Sequence, residues 1–127
     1  MTIAAETEAL ARAAAVALDE KKGIDVVLLD VHELLVITDI FVLASGNNRR
    51  QVQALIDAVE EALRLDNRKP LRREGQDDAQ WVLLDYGDIV VHVFDTPTRD
   101  YYDLERLWGD APRLDFDPSE REAVSEG

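Results

Sequence analysis

The sequence predicts an α/β fold, a mixed five-stranded sheet packed with helices in the order α-β-β-α-β-β-β-α. Three observations carry that reading. Val52, Leu55, Ile56, Val59 and Leu63 recur at steps of three and four, the period of a helix with one buried face. Val26-Val27-Leu28-Leu29 and residues 40–44 are near-continuous apolar runs of strand length, as expected for strands covered on both faces. Residues 81–86 and 89–95 are strand-like and flank Gly87-Asp88, a glycine-first pair that suits a two-residue hairpin turn.

The elements follow in order. Residues 2–22 are alanine-rich, with Leu10, Ala14, Ala17 and Leu18 at helical spacing, Lys21 and Lys22 at the C-terminal end and Gly23 as a stop. Strands are expected over residues 25–31 and 40–45. Gly46-Asn47-Asn48 then turns the chain and offers two N-cap side chains to the second helix, which Asp66, Asn67 and Pro70 end. The basic segment 68–73 reads as a strand at or near a sheet edge, and 74–80 as an exposed loop opening on Glu74-Gly75. After the hairpin, Thr96-Pro97 supplies an N-cap and a first-turn proline for a helix running through Tyr102, Leu104 and Leu107 to Trp108, closed by Gly109 and Pro112. Residues 1–112 are thus expected to form one domain, and 113–127 an acidic, mobile tail.

Composition narrows the function classes. The 127 residues suffice for a single hydrophobic core, and 46% hydrophobic with 32% charged residues is the balance of a folded domain. No apolar run is long enough to cross a bilayer and no basic-then-apolar signal pattern opens the chain, so a soluble, cytoplasmic protein is expected. With no cysteine, and with His32 and His92 far apart, neither disulfides nor a structural metal site is expected. The net charge of −13 disfavours extensive nucleic-acid binding; it either keeps the chain soluble or complements a basic partner.

The hairpin is the most informative element. A turn at Gly87-Asp88 sets Tyr86 opposite Ile89 and Trp81 opposite Phe94, which places Val82, Leu84, Tyr86, Ile89, Val91 and Val93 on one apolar face that packs on the helices. The other face holds Trp81, Leu83, Asp85, Val90, His92 and Phe94. Large aromatics beside an acid and an imidazole suit a binding surface. The competing reading covers this face with the C-terminal helix and makes Trp81 and Phe94 a secondary core. Tyr101, Tyr102, Leu104, Leu107 and Trp108 read first as packing residues, and Arg99 with Glu105 as a solvated salt bridge.

Glu74-Gly75, Trp81, Asp85-Tyr86-Gly87-Asp88, Val91-His92-Val93-Phe94, Arg99, Tyr102-Asp103-Leu104-Glu105 and Leu107-Trp108, in this order, resemble the signature of the Iojap or ribosomal silencing factor family. Upstream, Lys22, Asp25, Leu29-Asp30, Thr38-Asp39, Ser45-Gly46-Asn47 and Arg50 fit the same pattern, so that the resemblance spans about residues 5 to 110. It implies a homodimer-forming fold similar to nucleotidyltransferases. It also implies a translational repressor without cofactors that binds large-subunit ribosomal protein fourteen and obstructs the small subunit. The expected contact face is Trp81, Leu83, Asp85, His92 and Phe94, with Glu74, Arg99 and Tyr102 as rim or supporting residues.

Two alternatives remain open: an adaptor for some other basic protein, and a nucleotidyltransferase-like enzyme. The enzyme would seat a triphosphate at Ser45-Gly46 and the start of the second helix, with Arg49 and Arg50 beside it, and would need carboxylates converging on magnesium. Asp85, Asp88 and Asp95 lie at different places along the hairpin, Asp77-Asp78 falls in the loop, and His92 has no evident serine or cysteine partner. The expectation is therefore a non-enzymatic protein.

Overall fold

A computed structural model describes residues 3–116 of the chain. The elements are α1 (Ala5–Glu20), β1 (Ile24–Asp30), β2 (Ile40–Gly46), α2 (Arg49–Arg64), β3 (Arg72–Glu74), β4 (Trp81–Asp85), β5 (Ile89–Asp95), α3 (Thr96–Tyr102), α4 (Leu104–Leu107) and β6 (Arg113–Leu114). They build one mixed sheet in the order β3-β4-β5-β2-β1-β6. The central pair β2–β5 is parallel and every other pair is antiparallel. A parallel pair cannot be closed by a tight turn, and here α2, β3 and β4 form the crossover between its strands.

Central position explains the apolar runs. All seven residues of β2 are buried, because this strand has neighbours on both edges and packing on both faces. On one face α1 contributes Leu10, Ala11, Ala14, Ala15 and Leu18, and α2 contributes Val52, Leu55, Ile56, Val59 and Leu63. These close over Leu28, Ile40, Val42, Ala44, Val82, Leu84, Tyr86, Ile89, Val91 and Val93, so the apolar face expected of the hairpin is indeed the helix side. The small alanines of α1 let that helix lie close to the sheet. Asn48 caps α2 by accepting from the Gln51 amide at 2.9 Å.

The hairpin register is the expected one, with Trp81 opposite Phe94, Leu83 opposite His92 and Asp85 opposite Val90. Gly87 has φ of +91°, the turn conformation that glycine adopts without a side-chain clash. Asp88 does more than complete the turn. Its carboxylate accepts from Arg68 Nη2 at 2.7 Å and from Thr7 Oγ1 at 3.2 Å, while its carbonyl accepts from the Asp39 amide at 2.9 Å. One residue thereby ties the turn to the start of α1, the segment after α2 and the entry to β2.

Four expectations change. The sheet has six strands rather than five: Arg113–Leu114, expected in the tail, pairs antiparallel with Leu28 and Leu29 of β1, and Leu114 and Phe116 pack against the helix-side core. The edge strand is shorter than the basic segment and takes in Glu74, which was expected to open the loop. Asp95, not Thr96, caps α3, accepting from the Thr98 amide at 2.9 Å, and Pro97 sits in the first turn. The single helix expected from 96 to 108 is broken at Asp103, whose left-handed backbone (φ 48°, ψ 60°) ends α3 and re-aims α4. The rest of the expected tail, 117–127, lies outside the described residues.

Candidate docking surface

The second sheet face carries a smaller core of Leu29, Val31, Phe41, Leu43, Val90 and Phe94, covered by Leu104 and Ala111 with Leu35 and Trp108 at its margin. Trp108 meets the edge of Phe41 at 5.6 Å between ring centroids. The cover stops short of β4. Trp81, Leu83 and Asp85 are half-buried, whereas His92 and Phe94, their cross-strand neighbours, are buried. The reading that covers this face therefore holds for His92 and Phe94, while Trp81, Leu83 and Asp85 stay partly open.

What remains open is an aromatic surface over a filled floor. Trp81 lies 5.0 Å from Phe94 beneath it and 4.9 Å from Tyr102 beside it. Tyr102 is 51% exposed and meets the edge of Tyr101, which is 81% exposed. A shallow groove of about 510 Å³ continues the surface along Asp100, Tyr101, Tyr102, Asp103, Arg106 and Leu107. Tyr101 and Leu107 were expected to pack and instead point outward, because the break at Asp103 turns only Leu104 fully into the core. Helical spacing alone carried no sign of that break.

Three residues expected to meet a partner lie beneath the surface. Phe94 is fully buried, so it can only support Trp81 from below. The buried His92 accepts a hydrogen bond at Nδ1 from the Trp81 indole Nε1 at 3.1 Å. Burial drives its pKa down from 6.5 to about 4, with the charge of Asp85 opposing that in part. Arg99 is buried too and forms no rim. Its Nη1 donates to the Ile24 carbonyl at 3.0 Å and Ser45 Oγ at 3.3 Å, and its Nε to Glu105 at 3.1 Å, while Glu105 also pairs with Arg113 of β6. This network pins α4 and β6 to the sheet rather than standing in solvent. Glu74 is exposed on the edge strand, and Asp85 is paired with Arg72 at 3.2 Å.

Several features considered for an enzyme are engaged in structural contacts. Ser45 is buried between the Ile24 carbonyl and Arg99. Arg49 donates to the Asp77 carbonyl at 2.6 Å. Asp85 pairs with Arg72, Asp88 with Arg68, and Asp95 caps α3. Among the described residues no group of three or more His, Cys, Asp or Glu is placed to hold a metal ion. No helix among them is long and apolar enough to cross a membrane.

The model of the family described as "Ribosomal silencing factor during starvation" matches residues 4–126. The chain belongs to this ribosomal silencing factor family. It is 40% identical over 110 residues to the ribosomal silencing factor of Bacillus subtilis, covering 87% of this chain and 93% of that one. A solved structure from Chromobacterium violaceum superposes with a TM-score of 0.78 at 37% identity, covering 86% of this chain and 90% of the other. A more distant mouse relative, 29% identical over 94 residues and matched over 41% of its own length, is named mitochondrial assembly of ribosomal large subunit protein 1. Silencing factors are regulatory proteins rather than enzymes, and the family assigns this chain to that class.

Proposed function

We propose that the chain represses translation by binding the large ribosomal subunit through large-subunit protein fourteen, and that its bulk there blocks the small subunit. The observation that carries the proposal is the half-open aromatic surface of Trp81 and Tyr102 on a member of the silencing family. Aromatic side chains over a well-packed floor are the usual centre of a protein interface. Asp100 and Asp103 flank the two tyrosines, and the chain as a whole carries −13, so a basic partner is favoured on approach and acidic ones are repelled. Leu83, Asp85 and Tyr102 make the contacts around Trp81, Glu74 lies at the rim, His92 and Phe94 hold Trp81 from behind, and Arg99 supports the surface only through the α4 and β6 network.

The mechanism is steric and uses no bond chemistry. We further propose that the free protein, in the cytoplasm, is a homodimer that covers the same aromatics. Dimer and ribosome then compete, and protein concentration sets the balance. Co-sedimentation with isolated large subunits, followed by joining to small subunits, tests the reading. Saturating protein should travel with large subunits and slow joining; joining at the unhindered rate would refute it.

A further inference from the structure

His92 presents nothing to a partner, yet it controls the residue that does. Tryptophan has a single polar atom, the indole Nε1, which only donates. Here that donor is directed inward to His92 Nδ1 at 3.1 Å. Nδ1 must therefore be the unprotonated nitrogen, and the ring proton sits on Nε2, buried beneath the surface. Phe41 meets the imidazole edge-on at 4.7 Å and Phe94 lies parallel to it at 6.3 Å, so the ring is fixed by packing as well as by the hydrogen bond.

We propose that His92 is a positioning residue: it locks the Trp81 indole in its docking orientation and, by taking up the indole N–H, leaves Trp81 to be read as a ring alone. A partner group over Trp81 then gains from apolar contact or from a cation at the ring face, and gains nothing by offering a hydrogen-bond acceptor. The class of side chain this selects is an alkyl chain or the stem and head of a lysine or arginine, in keeping with the acidic flank at Asp100 and Asp103. A locked indole also loses less freedom on binding than a free one. The identity of the partner rests on the proposed function; the lock itself does not.

A double-mutant cycle separates positioning from general stability. His92→Leu removes the acceptor at similar size, His92→Asn keeps an oxygen near the Nδ1 position, and Trp81→Phe removes the donor. In the isolated protein, the NMR-detected indole proton of Trp81 should exchange with solvent roughly tenfold faster in His92→Leu and stay protected in His92→Asn. Affinity for isolated large subunits should fall roughly tenfold in His92→Leu and stay near the original in His92→Asn. In the Trp81→Phe background, His92→Leu should add no further loss. Equal losses in both backgrounds, unchanged indole exchange in His92→Leu, or lost protection in a folded His92→Asn would each overturn the lock. If the unaltered chain fails to bind large subunits, the functional reading falls while indole exchange still decides the lock.

Discussion

Gly75 packs so closely under Trp81 that a Cβ at position 75 would lie 2.0 Å from the Trp81 carbonyl oxygen. Gly75 also has φ of +82°, which side-chain-bearing residues rarely adopt. It lies directly after β3, and its carbonyl accepts from the Ala79 amide at 3.1 Å, so the glycine shapes the loop that delivers the chain to Trp81. Gly75→Ala should cost on the order of 2 kcal/mol or more of stability and displace the start of β4. Urea unfolding measures the first effect, and the Trp81 indole resonance reports the second.

The Arg99–Glu105 pair should behave as a buried clamp. Removing the carboxylate in Glu105→Ala strands a guanidinium that is 7% exposed and releases Arg113. A loss of about 3 kcal/mol is expected, with faster amide exchange in α4 and β6 before global unfolding. Little change in either measurement would mean that the pair is solvated.

The position of β6 makes truncation informative. Ending the chain after Pro112 removes the β1–β6 pairing and the packing of Leu114 and Phe116, and should lower stability by about 2 kcal/mol or more. Urea unfolding measures the loss, and a truncated chain as stable as the full one would show that β6 adds nothing.

Acid stability follows from two groups whose signs agree. The unfolded chain takes up a proton at His92 near the ordinary 6.5, while the folded protein resists until about 4. Stability therefore falls as pH drops from 6.5 to 4, by on the order of 3 kcal/mol, and His92 adds nothing further below that window. Asp88 acts lower. Its partial burial favours the neutral acid, but the hydrogen bond and charge of Arg68, with Thr7, outweigh this and hold its pKa below the usual carboxylate value. Its stabilisation is present above the usual range and lost as pH falls through the depressed value. Melting temperature against pH should show both losses, and a folded His92→Leu should flatten only the 6.5 to 4 portion.

Local chemistry made much of this legible in the sequence. The steps of Val52 to Leu63, the unbroken run in β2 and the Gly87-Asp88 turn each encode one element, and alternation about that turn set every residue of the hairpin on its observed face. What local sequence does not encode depends on long-range neighbours. Arg113–Leu114 is a strand only because β1 has a free edge, and Arg99 is internal only because Ile24, Ser45 and Glu105 surround its guanidinium. The outward Tyr101 and Leu107 depend on a left-handed Asp103, a conformation open to aspartate but not announced by it. Nor does face alternation separate the half-open Trp81 from the buried Phe94 that packs beneath it.

Docking of the chain on the large subunit through the Trp81 surface, as proposed, is tested most directly by Trp81→Ala. Affinity for isolated large subunits, measured beside the melting temperature and the rate of subunit joining, should fall by about 2 kcal/mol or more, roughly thirtyfold. Joining should recover at protein concentrations where the original chain blocks it, and the variant should still unfold cooperatively. A folded Trp81→Ala that binds large subunits and blocks joining as well as the original chain would contradict the account.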